Sequence, residues 1–264
     1  MNTHRILIVT TSHDSLGSTG RKTGLWLEEL AAPYWVFRDA GFEVDIASMA
    51  GGKVPLDPGS VGEKDRPDSV RRFLQDSHVM SQLESTPALA TLIAEDYDAI
   101  FLPGGHGTMW DMPADANLAR AVARAYDEGR IVAAVCHGPA GLVGAVRADG
   151  KALVGARRLT AFTNAEEAAV GLTDSVPFLL ESRLRELGAI FECARPFEPF
   201  VVQDGHLVTG QNPQSSQAVA DAVVAALARS RARDPAQVAR ESGISAHSPQ
   251  ATNPARTSSS TSAS

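Results

Sequence analysis

RILIVTT at residues 5–11 opens a series of short apolar runs separated by stretches of helical pattern, and this alternation leaves few folds open. The runs FEVDIAS (42–48), YDAIFLP (97–103) and IVAAV (131–135) follow, then RLTAF (158–162) and FECA (191–194). Helices are expected at 23–40, 117–128, 139–146, 177–187 and 215–228. Strands of this length that lack polar alternation are buried on both faces. The pattern therefore predicts an α/β fold: a three-layer sandwich with a mostly parallel central sheet and helices on both faces. FVVQDGHLVTG (200–210) differs, because Asp204-Gly205 between two apolar runs marks a hairpin, which adds an antiparallel pair near one sheet edge.

The organisation follows from where this pattern lapses. Residues 50–90 carry Gly51-Gly52, Pro55, Pro58 and the charged stretch EKDRPDSVRRF, which predicts an insertion with one or two irregular helices that lids or flanks a site. From Arg229 the composition turns to Ser, Ala, Thr, Arg and Pro, too poor in apolar area to offset chain entropy. The expected organisation is one domain over 1–228 and a disordered tail over 229–264.

Charge and cysteine content narrow the functional classes. A formal net charge of -7 repels phosphate backbones, so nucleic acid is not the expected partner. No segment reaches the roughly 18 apolar residues that a membrane span requires, and RILIVT is too brief for a signal-peptide core. Cys136 and Cys193 are the only cysteines, and they offer neither a disulfide framework nor a CxxC zinc spacing. A cytoplasmic protein is the expectation, with no metal. No cofactor is implied either, as the sequence has no Walker loop, no GxGxxG after the first strand and no HExxH.

Chemistry concentrates where IVAAV meets Cys136. A central strand followed directly by Cys136-His137-Gly138-Pro139 predicts a nucleophile elbow: a sharp turn that exposes the cysteine at the carboxyl end of the sheet, with Pro139 in the first helical turn. A helix N-terminus there is expected to lower the thiol pKa, and backbone N–H groups at the turn can receive an oxyanion. The competing reading is a buried structural cysteine beside a packing glycine. PGGHGTMWD (103–111) weighs against it by placing a glycine pair at the end of another strand, where Gly105 N–H is the natural second oxyanion donor. Substrate contacts are expected from the 50–90 insertion and Trp110, and the histidines other than His137 are read as structural or surface residues.

Taken together, RKTGLWLEELAAPYWVFRDAGFEVDIAS, DAIFLPGGHGTMWDM, AAVCHGPAGLV and LTAFTNAEE resemble the ThiJ/PfpI superfamily, whose fold is flavodoxin-like and similar to a class I glutamine amidotransferase domain. The KTG…E…P pattern and the CHGPA elbow resemble the branch of heat-shock chaperones and glutathione-independent glyoxalases, over about residues 4–228. The resemblance implies Cys136 as nucleophile, His137 as the triad histidine, Glu167 as its acid and Glu29 as the acid beside the sulfur. Periodicity does not choose between Glu28 and Glu29 on a helix that is apolar nearly all round. Glu166 and Glu167 both open the helix after RLTAF and both suit its N-terminal dipole.

The function this implies is conversion of a small 2-oxoaldehyde such as methylglyoxal into a 2-hydroxy acid, through a hemithioacetal on Cys136 and without glutathione, in a homodimer. Two alternatives use the same residues. One is a hydrolase acting as protein deglycase or peptidase; the other is a stress chaperone with Cys136 as redox sensor.

Overall fold

The computed structural model describes residues 3–63 and 66–232. In chain order the elements are β1 (Arg5–Thr10), α1 (Leu27–Asp39), β2 (Glu43–Ser48), α2 (Asp68–Gln75), α3 (Ser77–Glu84), β3 (Ala99–Leu102), α4 (Thr108–Asp111), α5 (Ala116–Asp127) and β4 (Ile131–Val135). After these come β5 (Arg158–Leu159), α6 (Asn164–Ala169), α7 (Leu180–Glu186), β6 (Ile190–Phe191), β7 (Val201–Asp204), β8 (Leu207–Gly210) and α8 (Ser216–Ala232).

Six strands form one sheet in the order β2-β1-β3-β4-β8-β7, parallel throughout except for the β7–β8 hairpin at one edge. Successive residues of β1 serve opposite faces. Ile6 and Ile8 pack with Leu27, Leu30 and Phe37 of α1, Phe73 of α2 and Val219 and Val223 of α8. Leu7 and Val9 pack with Met109 of α4, Leu118 and Val122 of α5 and Leu180 and Leu184 of α7. Two separate cores on the two faces of one buried sheet make the three-layer sandwich.

Local differences from the sequence reading have local causes. RLTAF and FECA do not join the main sheet; they contribute two residues each to a small parallel pair, β5–β6. The helix expected from residue 23 begins at Leu27, since Leu25 is held extended by a bridge to Leu56. The helix expected at 139–146 is a short 3-10 turn over Gly138–Leu142. In the 50–90 region α2 packs on α1, where the Arg72 guanidinium lies 3.7 Å over the Trp35 ring and pairs with Asp39.

Compactness divides the chain at Ala228: Met1–Ala228 is one unit, and Arg229–Ser264 is a second of which only the end of α8 is described. The tail expected over 229–264 otherwise lies outside the described residues. Among the described residues no helix is long and apolar enough to cross a membrane.

Candidate active site

Cys136 is the first residue past β4 and takes φ 59°, a left-handed conformation that a residue with a Cβ adopts only under constraint. Backbone bonds on both sides supply the constraint: Cys136 N–H donates to Gly210 O and Phe162 N–H donates to Cys136 O, each at 2.9 Å. The chain then turns at once through His137 into the 3-10 turn, which aims the thiol at the space beyond the carboxyl ends of β3 and β4.

The end of β3 makes the opposite wall. A Cβ on Gly104 would stand 2.6 Å from His137 N, 2.7 Å from Glu29 Oε2 and 2.8 Å from Gly138 N, so only glycine leaves the elbow its approach. Gly105 has φ +93°, and a Cβ there would meet Gly24 O at 2.2 Å. Neither Gly105 N–H nor His137 N–H donates to a backbone carbonyl among the described residues; His137 N–H faces the Cys136 sulfur instead, and the two are the candidate donors to an oxyanion formed on that sulfur's adduct.

Two acids, Glu29 and Glu167, and two histidines, His106 and His137, are gathered around the thiol. Glu29, in the first turn of α1, is fully buried, while Glu28 is only half-buried. Its Oε2 accepts from Gly104 N–H at 2.7 Å, while its buried Oε1 makes no hydrogen bond of good geometry. Burial pushes the Glu29 carboxyl well above its usual range, against the opposing pull of Cys136 and the Gly104 N–H. The thiol's contact with this carboxyl is thus looser than a formed bond, yet close enough to couple the two protonation states.

His137 Nδ1 lies 3.4 Å from Cys136 Sγ, and its Nε2 lies 2.8 Å from Glu167 Oε2. Glu167 Oε1 takes a second imidazole, His106 Nε2, at 3.0 Å. Burial would raise the Glu167 carboxyl, but the hydrogen bonds from His106 and His137 outweigh it and bring the pKa to about 2. Burial, and then the proximity of His106, push His137 down to about 4, so its ring is neutral at pH 7. With its proton on Nε2 facing an ionised carboxylate, the ring presents a lone pair at Nδ1 to the thiol.

The thiol itself corrects the expectation of a lowered pKa. Burial, followed by the Glu29 charge, pushes Cys136 well above the ordinary thiol value, and the His137 N–H opposes this only in part. A single five-residue 3-10 turn carries too little aligned dipole to reverse the desolvation.

The cavity over the sulfur holds about 140 Å³ and is lined by Trp26, Phe162, Val170, Phe197 and Pro213 around the polar groups of Glu29, His106 and His137. The structure therefore brings together Cys136, His137, Glu29, Glu167 and Gly105. Trp110, expected at the substrate, is not among the lining residues; its ring stacks on His13 at 5.1 Å, since the one-turn α4 turns it away. Among the described residues of the 50–90 insertion none lines the cavity; its α2 is engaged with α1.

His106 corrects the reading of the remaining histidines as structural or surface residues. It lines the cavity with its ring centroid 4.1 Å from that of His137. The signal available was its place directly after the glycine pair at the end of β3. Ligand atoms of His106, His137 and Glu167 lie within 4.8 Å of one another, close enough to converge on a metal ion. As they stand, both imidazoles spend Nε2 on the carboxylate.

The DJ-1/PfpI family model matches residues 23–226. A glutathione-independent glyoxalase of Schizosaccharomyces pombe is 32% identical over 84% of this chain and 96% of its own length. Glyoxalase 3 of Candida albicans is 33% identical over 84% of this chain and 97% of its own. Among solved structures, the Francisella tularensis Rapid Encystment Protein 24 kDa superposes with a TM-score of 0.82 at 40% identity, covering 85% of this chain and 99% of that one. The crystal structure of the Candida albicans glyoxalase III superposes with a TM-score of 0.78 at 32% identity, over 84% and 97% of the two chains.

Proposed function

This chain belongs to the DJ-1/PfpI family, and from that premise we propose that it is a glutathione-independent glyoxalase that converts methylglyoxal or a related 2-oxoaldehyde, with water, into the 2-hydroxy acid. The observation that carries the reading is the line Cys136 Sγ, His137 Nδ1, His137 Nε2, Glu167 Oε2, with Glu29 buried on the other side of the sulfur.

Each step has a group to perform it. The Cys136 proton passes to His137 Nδ1 as the sulfur adds to the aldehyde carbon, and the new oxyanion rests on the Gly105 and His137 N–H groups before it takes that proton back. Glu29, in its ionised form, then removes the hydrogen from the carbinol carbon as a proton, giving an enediolate, and returns it to the neighbouring carbon while the hydroxyl proton shifts between the two oxygens, leaving a thioester of the 2-hydroxy acid. A carboxyl raised by burial is suited to both halves of that transfer. Water activated by His137 cleaves the thioester, releases the acid and restores the thiol. Glu167 holds His137 in the tautomer that makes Nδ1 the base.

A homodimeric assembly and a cytoplasmic setting belong to the same proposal. Two free cysteines, one of them required as a thiol, support a reducing compartment.

The test is lactate formation from methylglyoxal by the purified protein without glutathione, with Cys136→Ala alongside. Lactate from the wild type and none from the variant is the expected result; full turnover by Cys136→Ala overturns the mechanism.

A further inference from the structure

Glu166 takes no part in the chemistry above, yet it is fully buried and accepts five hydrogen bonds with no cation among the donors. Oε2 takes Thr163 N–H and Thr163 Oγ1–H, both at 2.9 Å, which with Glu166 N–H to Thr163 Oγ1 at 3.1 Å forms a capping box on α6. That half is local. Oε1 reaches across the fold to Phe197 N–H at 2.8 Å, Asn212 Nδ2 at 2.9 Å and Gln211 Nε2 at 3.0 Å.

The two amides extend the anchor along residues 195–200, a segment without helix or strand. Asn212 Nδ2 also donates to Glu198 O at 2.8 Å, and Gln211 Nε2 to Arg195 O at 3.3 Å. Phe197 sits at the centre of this segment with φ 63°, 39% exposed, and lines the cavity, as Val170 does. Its ring contact with Phe162 is a distant edge-to-face pair at 6.3 Å. The hydrogen bonds ending on Glu166, more than packing, hold the ring at the mouth of the site.

The cavity so walled exceeds methylglyoxal. At roughly 10–15 Å³ for each water-sized atom, 140 Å³ takes on the order of ten heavy atoms, where methylglyoxal has about five. The extra space is bounded by Trp26, Phe162, Val170 and Phe197, surfaces that favour an apolar substituent.

Resting on the glyoxalase reading, we propose that Phe197 is the specificity-determining wall that selects 2-oxoaldehydes bearing an aryl or branched alkyl group over methylglyoxal, and that Glu166 is the positioning residue that sets it. Glu166→Gln places an NH₂ against either the Phe197 and amide donors or the Thr163 donors, whichever way the amide turns.

The experiment compares kcat and KM for phenylglyoxal and methylglyoxal in the wild type, Phe197→Ala and Glu166→Gln. The wild type favours phenylglyoxal in kcat/KM by about ten-fold, and both variants lose most of that preference through a higher phenylglyoxal KM. A wild type without the preference, or variants in which both substrates fall in parallel through kcat, overturns the proposal. A second measurement needs no turnover: protection of Cys136 from iodoacetamide by mandelate against lactate. Stronger protection by mandelate, lost in both variants, supports the wall even in a protein that turns over neither aldehyde, a result that sinks only the glyoxalase reading. Equal protection by the two acids overturns the wall.

Discussion

Cys136 and His137 are neighbours in sequence and partners in space: the sulfur of one lies 3.4 Å from Nδ1 of the other, whose Nε2 is committed to Glu167 at 2.8 Å. Adjacent residues meet through their side chains here because the elbow puts Cys136 at φ 59° and folds the histidine ring back over the strand end. The thiol is protonated at rest, so its reactivity depends on the tautomer that Glu167 selects.

Glu167→Gln replaces the acceptor of two imidazole protons with an amide that can also donate. In steady-state assays with methylglyoxal, kcat is expected to fall by about 10² or more, on the scale of lost tautomer control in other triads. An unchanged kcat would remove Glu167 from the mechanism.

Glu29→Gln separates thiol reactivity from turnover. The Glu29 charge and its contact with the sulfur both add to the raised thiol pKa, so the variant has more thiolate at pH 7. Alkylation of Cys136 by iodoacetamide is expected to quicken while lactate production falls by about 10² or more, since the proton-transfer base is gone. Slower alkylation would contradict the assigned coupling.

Stability should depend on pH through His137. Its pKa is about 4 in the folded chain against an ordinary 6.5, so the unfolded chain binds the extra proton between those values, and stability falls as pH drops through that window. Between pH 7 and pH 5 this amounts to about 2 kcal/mol at about 1.36 kcal/mol per unit. Urea unfolding of the wild type and His137→Gln at the two pH values measures it; the variant should lack that part of the slope.

Gly104→Ala would bring a methyl group within 3 Å of His137 N and Glu29 Oε2, at the oxyanion position. The expected loss in kcat is about 10²-fold, comparable to removal of an oxyanion donor. The circular dichroism spectrum checks that the fold survives.

How much of this was legible in the sequence depended on whether the signal was local. β1, β3 and β4 were readable because each is a run of apolar residues buried on both faces, β2 because Val44 and Ile46 alternate with Glu43 and Asp45, and the Asp204-Gly205 hairpin because its turn chemistry is contiguous. Thr163-x-x-Glu166 is a local capping signature, but nothing near it announces Phe197, Gln211 and Asn212 as its other partners. The choice between Glu28 and Glu29 needed the helix rotation that tertiary packing sets, as both faces of α1 are apolar. Trp110 was misplaced for a related reason: it follows the glycine pair closely, but α4 turns its ring toward His13. Trp110→Ala is accordingly expected to cost about 2 kcal/mol of stability and leave KM for methylglyoxal within about two-fold.

The central claim is that Cys136 adds to the carbonyl of a 2-oxoaldehyde. Rapid acid quench of the enzyme with excess methylglyoxal, followed by mass analysis of the peptide containing Cys136, tests it most directly. A gain of one methylglyoxal on that peptide within a single turnover, absent from Cys136→Ser, is the predicted result. Lactate formed at the wild-type rate with no adduct on Cys136, or an undiminished rate in Cys136→Ser, would contradict it.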